Sequence, residues 1–389
     1  MASSLIRGKY LIRKVESRTR ADIVEAGAVY QEDGRIVETG TFEELSQKYP
    51  RAEAVGSDHH VVIPGLINAH HHVGITSFQR GVPNEPLEIW ACAMNGVIGT
   101  DQYLDTLYSA FEMIESGVTT VQHLHGWGPG PIDSIRKLAD ETLRAYRDLG
   151  MRVSYSYAVR DQNYLVYESD ESFLRTLPAD LARQLGTLLE AHSSITLDDY
   201  FALFEDLYER YNDEPRIRIQ LAPSNLTWCS DRALGRLSSY SADYDVPLHM
   251  HLLETPYQKE YAFRRSGTTA VKFLHQQGLL GSRMTLGHGT WVTPEDIDLL
   301  ADSGTNICHN CSSNLALRSG IAPLNAYQYA GARVAIGIDG AGINDDRDML
   351  QEMRLVLSVH RVPGMNPDAV PSPAQVFQMA TEHGARTTP

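Results

Sequence analysis

Three consecutive histidines, His70, His71 and His72, close the stretch Val61-Val62-Ile63-Pro64-Gly65-Leu66-Ile67-Asn68-Ala69. On a β-strand alternate side chains share a face, so His70 and His72 can offer two imidazoles to one cation while His71 points the other way. The apolar lead-in marks the end of a buried strand, unlike a terminal affinity tag or a solvated loop. Two imidazoles are half of a metal site. Partners are available at His249-Met250-His251-Leu252-Leu253-Glu254, at Leu286-Gly287-His288-Gly289 and at Gly337-Ile338-Asp339-Gly340. His249 and His251 share a face by period two; His251 lies nearer the strand end, and His249 reads as a hydrogen-bonded core imidazole one layer deeper. Neutral histidines with one carboxylate suit a single divalent metal ion. Zinc is expected first, with iron(II), cobalt or manganese as alternatives, and such an ion activates water at neutral pH.

These residues meet only if separate strands deliver them to one place. Residues 5–60 read as short strands (Leu5–Lys14, Asp22–Gln31, Gly34–Thr41) and a short helix, Phe42–Tyr49. From Val61 onward strands and helices alternate. The expected strands are Val61 onward, Val118–His123, Val153–Val159, Ile217–Ala222, Val246–Leu252, Met284–Gly287, Thr305–Cys308 and Val334–Ile338. Leu104, Leu107, Phe111 and Ile114 suggest an apolar helix face closed by Gly117; Ile135, Leu138, Leu143, Tyr146 and Leu149 suggest another, closed by Gly150. Thr293-Pro294-Glu295-Asp296 opens a helix with an N-cap hydroxyl, proline at the first position and acids in the first turn. Residues 161–215 form a mostly helical insertion. Eight strand–helix repeats predict an α/β chain, a (β/α)8 TIM barrel over residues 61–389 behind a small N-terminal β-sandwich subdomain, residues 1–60. An open doubly wound sheet would gather the reactive residues at one switch point, usually with a glycine-rich phosphate turn, and none is found.

Composition narrows the partners. A net charge of −15 argues against nucleic acid or an anionic membrane surface. No run of apolar residues is long enough for a transmembrane helix, and the start is too charged for a signal peptide. Four cysteines, Cys92, Cys229, Cys308 and Cys311, are too few and scattered for a disulfide framework, which points to a cytoplasmic protein. The expected partner is a small-molecule substrate, and a homo-oligomer is expected.

The segments PGLINAHHH, HMHLLET, LGHGTWVTPEDIDLLADSG, ICHNCSSN and IGIDGAGINDDRDMLQEMR, in that order, resemble the amidohydrolase superfamily. The resemblance covers nearly all of the chain. It is specific to the mononuclear branch of guanine, cytosine and S-adenosylhomocysteine deaminases and triazine hydrolases. It implies that His70, His72, His251 and Asp339 bind the metal, that Glu254 shuttles a proton to the leaving or ring nitrogen, and that His288 positions the water and the substrate oxygen. Asp339 at the metal can accept the water proton. Two-metal relatives carry a carboxylated lysine on strand four; neither Ile217–Ala222 nor strand three holds a lysine, so one metal is expected.

Departures from the family pattern fall around the substrate. Ser224 stands where purine-type deaminases often carry a histidine, His123 where an aspartate is common, and Cys311 where proline is usual. Cys308 and Cys311 form a C-x-x-C with no second pair. His123, Trp90 and Asn314 are the candidate substrate contacts, and Trp127 and Trp228 could add aromatic walls. The chain stops before the strands that complete the sandwich in the family, so it reads as a fragment with exposed sheet edges. The expected activity is hydrolysis of a non-peptide C–N bond, as an aminohydrolase of an amino-substituted heterocycle. Amide, urea or carbamate hydrolysis and hydrolytic dechlorination are the alternatives, and a non-catalytic barrel scaffold is the competing class.

Overall fold

The computed structural model describes residues 3–72, 74–94, 96–97, 99–126, 130–192 and 195–388. Eight parallel strand positions carry the site: β1 (Leu66–His71), β2 (Val118–His125), β3 (Arg152–Val159), β4 (Ile217–Ile219, continued by Ala222–Pro223), β5 (Leu248–Leu252), β6 (Met284–His288), β7 (Asn306–His309) and β8 (Arg333–Ile336). They lie in two parallel sheets, β4-β3-β2-β1 and β5-β6-β7-β8. Isolated parallel bridges join the sheets at both edges, His71 with Asp339, and Leu221 with Leu248. The strands are short and apolar because helices cover their outer faces; Val121, Val153, Met250, Leu286 and Ile307 sit in the main core.

Strand one begins later than its apolar lead-in suggests. Val61–Val62 pair instead with Tyr10–Leu11, in a three-stranded sheet with Arg20–Glu25. The rest of the small unit is a four-stranded sheet, in the order 35–41, 27–32, 3–7, 53–56. The C-terminal helical segment packs on the Tyr10–Ser17 strand, where Val15 N donates to Glu382 Oε1 at 2.7 Å.

Five helices bear on the site: α1 (Leu87–Met94), α2 (Gln102–Glu115), α3 (Ile132–Leu149), α4 (Cys311–Ala316) and α5 (Met349–Val359). Helix α3 buries the expected face, with Ile135, Leu143 and Tyr146 inside and Gly150 closing it in the left-handed conformation. The Thr293 cap forms a reciprocal box with Asp296.

Helix α2 overturns its expected orientation. Leu104 is 61% exposed and Phe111 55%, while Asp105, Thr106, Ser109, Ala110 and Met113 are buried. The cause is polar. The Asp105 carboxylate accepts Gly74 N at 2.7 Å, Ile75 N at 2.9 Å and Arg80 Nη2 at 2.8 Å, and so fastens the loop after His72. Charge-assisted bonds to three donors outweigh the partial burial that Leu104 and Phe111 forgo, because an Asp buried without them would cost several kcal/mol. A Cβ at position 74 would stand 1.7 Å from the Asp105 carbonyl, so only glycine fits this close approach.

Candidate metal centre

His70 and His72 leave strand β1 through an irregularity. Asn68 pairs with Val121 and His71 with His123, three residues against two. Such a bulge re-aims side chains beside an active site. It turns Asn68 to the outer side, where Nδ2 meets Met113 of α2 at 3.4 Å, while Oδ1 accepts the His70 and Ile338 amides. His71 faces outward as expected, with Nε2 at 3.2 Å from Ser109 Oγ.

The inward imidazoles converge with residues from strands β5, β6 and β8. His72 Nε2 lies 3.0 Å from His251 Nε2 and 3.3 Å from Asp339 Oδ1; His70 Nε2 lies 3.7 Å from the same oxygen. His288 Nε2 stands 3.7 Å from Asp339 Oδ2 and 3.5 Å from Glu254 Oε2. Five of the six expected residues are buried and His72 is partly so.

The hydrogen bonds behind the rings determine what they present. His72 Nδ1 lies 2.7 Å from Leu124 O, and His251 Nδ1 lies 2.7 Å from Ser224 O. A carbonyl only accepts, so each Nδ1 carries the proton and each neutral ring turns a lone pair outward at Nε2. Two lone pairs facing one another at 3.0 Å repel unless a cation lies between them. His70 Nε2 is a buried nitrogen with no hydrogen-bond partner, and its Nδ1 meets His249 Nε2 at 2.8 Å. Nitrogens backed in this way, beside an ionised carboxylate, are the donor set of a zinc-type cation.

Electrostatics agree. Burial, reinforced by the neighbouring imidazoles, holds His70 and His251 well below the ordinary histidine value, so both are neutral. Burial alone would raise Asp339, but His288, His72 and His251 outweigh it and keep the carboxyl ionised. Burial lifts Glu254 to about 7 against the opposing pull of His288. Within one cluster, then, one carboxyl is a fixed anion and the other is poised to exchange a proton near neutrality.

The candidate substrate contacts fare differently. His123 lies outside the cluster: it pairs in register with outward-facing His71, and its Nδ1 meets Tyr146 Oη of α3 at 2.9 Å. Strand alternation turns it to the outer layer. Asn314 of α4 lies against His288: its Oδ1 accepts from His288 Nδ1 at 2.8 Å and holds that ring. Trp90 of α1 packs beside Leu87, Leu317 and Ala341, just past the end of β8. Trp228 stacks under Arg160, whose guanidinium carbon is 4.5 Å from the ring. Trp127 lies outside the described residues. Ser319 and Gln258 lie outside the family-like segments of the sequence, whereas Asn310 lies inside one of them, ICHNCSSN: Ser319 Oγ donates to Glu254 Oε1 at 3.2 Å, Gln258 Oε1 accepts Glu254 N at 2.9 Å, and Asn310 Nδ2 approaches Asp339 Oδ2 at 3.5 Å.

Residues 61–388 match the amidohydrolase family. The chain belongs to that family. Residues 27–52 also match an imidazolonepropionase-like composite domain of bacteria. Among curated relatives, an 8-oxoguanine deaminase of Pseudomonas aeruginosa is 32% identical over 347 residues, 87% of this chain and 72% of that protein. A 5-methylthioadenosine/S-adenosylhomocysteine deaminase of Thermodesulfovibrio yellowstonii is 27% identical over 366 residues, covering 92% and 74%. The zinc complex of an atrazine chlorohydrolase from Arthrobacter aurescens superimposes with a TM-score of 0.81 at 23% identity, over 99% of this chain and 82% of that one, a likeness of fold. This amidohydrolase is therefore a metal-dependent hydrolase acting on C–N bonds other than peptide bonds. Among the described residues no helix is long and apolar enough to cross a membrane.

Proposed function

We propose that this amidohydrolase holds one zinc ion through His70, His72, His251 and Asp339 and removes the amino group of a small amino-substituted heterocycle, releasing ammonia. The observation that carries the reading is the pair of outward lone pairs on His72 and His251, 3.0 Å apart beside an ionised Asp339. The curated relatives support the substrate class, since those named above are deaminases of purine compounds. When bound, the cation supplies Lewis-acid activation of water for attack on an electrophilic carbon.

The chain's own groups manage the protons. Asp339 is ionised, with one oxygen towards His70 and His72 and the other towards His288, and takes the proton of the attacking water. Glu254, titrating near 7, delivers a proton to the leaving nitrogen. Asn314 occupies His288 Nδ1, so Nε2 alone faces the reacting atoms; it accepts from the water or, once protonated, donates to an oxygen gathering charge. Asn310 and Ser319 position Asp339 and Glu254.

The two parallel sheets, bridged at both edges, are read as one (β/α)8 barrel over residues 61–389, with residues 1–60 as a small β-sandwich subdomain. The four free cysteines support a reducing compartment such as the cytoplasm. Self-association would use the outward face of α2, and light scattering should show Phe111→Asp shifting an oligomer towards monomer.

The test is a panel of amino-purines, amino-pyrimidines, amides, ureas and chloro-heterocycles, with ammonia, amine and chloride measured. Ammonia from an amino-heterocycle is expected, lost on chelation and restored by zinc. Turnover that persists after complete metal depletion would refute the metal-dependent reading. Amine as the sole product would move the substrate to the amides, ureas and carbamates, for which Ser224 speaks, its hydroxyl being buried without a partner next to the strand that carries His251, and chloride would make the substrate a chloro-heterocycle.

A further inference from the structure

The outer side of β7 carries a second cluster of ligating side chains that the proposed reaction does not use. His309, the last residue of β7, Cys311, the first of α4, and His360, the cap of α5, place one donor atom each within 4.8 Å of the others, and all three are buried. His309 Nε2 and His360 Nε2 face one another at 2.9 Å, close to the 3.0 Å between His72 and His251. A hydrogen bond between two imidazoles uses one N–H and one lone pair. His309 Nδ1 is buried with no partner, as are His71 Nδ1, His123 Nε2 and His249 Nδ1, so what sets this place apart is the gathering of a thiol with two imidazoles.

We propose that His309, Cys311 and His360 form a second divalent-cation site, for a thiophilic ion of the zinc class, separate from the catalytic cluster. A tetrahedral zinc ion sets nitrogens about 3.4 Å apart and nitrogen and sulfur about 3.6 Å apart, from bonds of about 2.0–2.1 and 2.3 Å. Donors already within 4.8 Å need shifts on the order of 1 Å. Two imidazoles and a thiolate select zinc-like ions over magnesium or calcium. Binding replaces the Cys311 thiol proton, which leaves to solvent, and the fourth position falls to water or to a neighbouring oxygen. Asn325, whose Nδ2 holds the His360 carbonyl at 3.0 Å, has a buried Oδ1 with no partner.

The site lies behind the strand. Cys308 sits on the inner side, near His70; a Cβ at Gly337 would meet Cys308 Sγ at 2.9 Å and His70 Cβ at 2.5 Å. Strand alternation sends His309 the other way, towards α5. An ion here would staple the end of β7 to α4 and α5. Between two of its ligands lies Asn310, which touches Asp339 and His288, and α4 carries Asn314. Its role is structural, holding the segment that orients the catalytic groups.

Cobalt(II) is the probe, because the catalytic donors are nitrogen and oxygen only, so a thiolate-to-cobalt charge-transfer band reports the second site alone. The metal-stripped full chain is titrated with cobalt chloride and followed by near-ultraviolet absorbance and metal analysis. Two equivalents per chain and a thiolate band are expected. Cys311→Ser should lose the band and one equivalent; Cys308→Ser and Cys92→Ser should keep both; His72→Asn should lose the other equivalent and keep the band. The band's absence from the wild-type protein, or its survival in Cys311→Ser, overturns the proposal, and the wild-type titration decides even where a variant does not fold. Loss of the catalytic equivalent with the band intact would count only against the His70/His72 assignment.

Discussion

Glu254→Gln separates metal binding from proton transfer. The side chain is 6% exposed, with Oε1 accepting from Ser319 and Oε2 3.5 Å from His288 Nε2. Glutamine keeps the shape, and its amide oxygen can still accept from Ser319, but it cannot carry a proton. Glu254 is not among the proposed ligands, so the variant should hold its full complement of metal. A general acid–base group contributes roughly 10²–10⁴-fold, or about 3–5 kcal/mol of activation free energy.

The pH dependence sharpens the expectation. Burial lifts the Glu254 carboxyl to about 7, so its protonated fraction falls through neutrality. If Glu254 donates to the leaving nitrogen, wild-type kcat should decline above about pH 7, and the residual rate of the variant should lack that limb. The assay is steady-state ammonia release from pH 5 to 9 on protein of measured metal content. Turnover within about threefold of wild type with metal bound, or an unchanged pH profile, would remove Glu254 from the mechanism.

Asn314→Ala should free His288 Nδ1 while leaving the proposed ligands in place. A fall in kcat of roughly 10–100-fold, with metal content unchanged, is expected from the cost of losing a ring-orienting partner; a shift in KM alone would make Asn314 a substrate contact after all. Glu352 of α5 is buried with its carboxyl lifted by burial to about 7, and Oε1 accepts Ser312 N at 3.0 Å. Its folded value lies above the unfolded one, so the folded state binds the extra proton and stability should fall as pH rises from about 4.5 through 7. Glu352→Gln should flatten that decline by roughly 2–3 kcal/mol, seen as a higher melting temperature at pH 8 than wild type; an unchanged difference between pH 5 and 8 would sink the reasoning.

Much of the site was legible because its residues end strands. Period-two alternation placed His70 and His72 inward and His71 outward, and set His249 one layer below His251, where it backs His70. The order of strands could be read because each apolar run is short and followed by a helix. What could not be read was set by tertiary contacts. His123 looks inward only if its neighbours are ignored; registry with His71 turns it out. Leu104, Phe111 and Ile114 form a convincing core stripe, yet three polar bonds to Asp105 turned α2 over. Ser319 reaches Glu254 from a loop that no spacing rule connects to it, whereas Gln258 stands three residues after the N-cap Thr255, a spacing that signals a helix start but not that its side chain holds the Glu254 amide.

The glycines around the catalytic strand ends show how the fold admits these side chains. Leu253, His288 and Asp339 have φ of +51°, +72° and +67°, left-handed conformations that cost a non-glycine residue on the order of 1–3 kcal/mol each. Glycine would relieve that strain at any of the three, but at 288 and 339 it would delete the imidazole or the carboxylate. Instead the neighbours give way. A Cβ at Gly287 would press on His70 Cε1 at 3.2 Å, and one at Gly289 would meet Tyr327 Oη at 2.6 Å. The Gly340 amide donates to Asp339 Oδ1 at 2.6 Å. At 288 and 339 the strain therefore sits on residues proposed to carry the chemistry, and the room for it is made next door. Substituting alanine should thus damage the cluster by two routes, at Gly287 by pressing on the His70 ring and at Gly289 by displacing Tyr327 Oη without touching a proposed ligand.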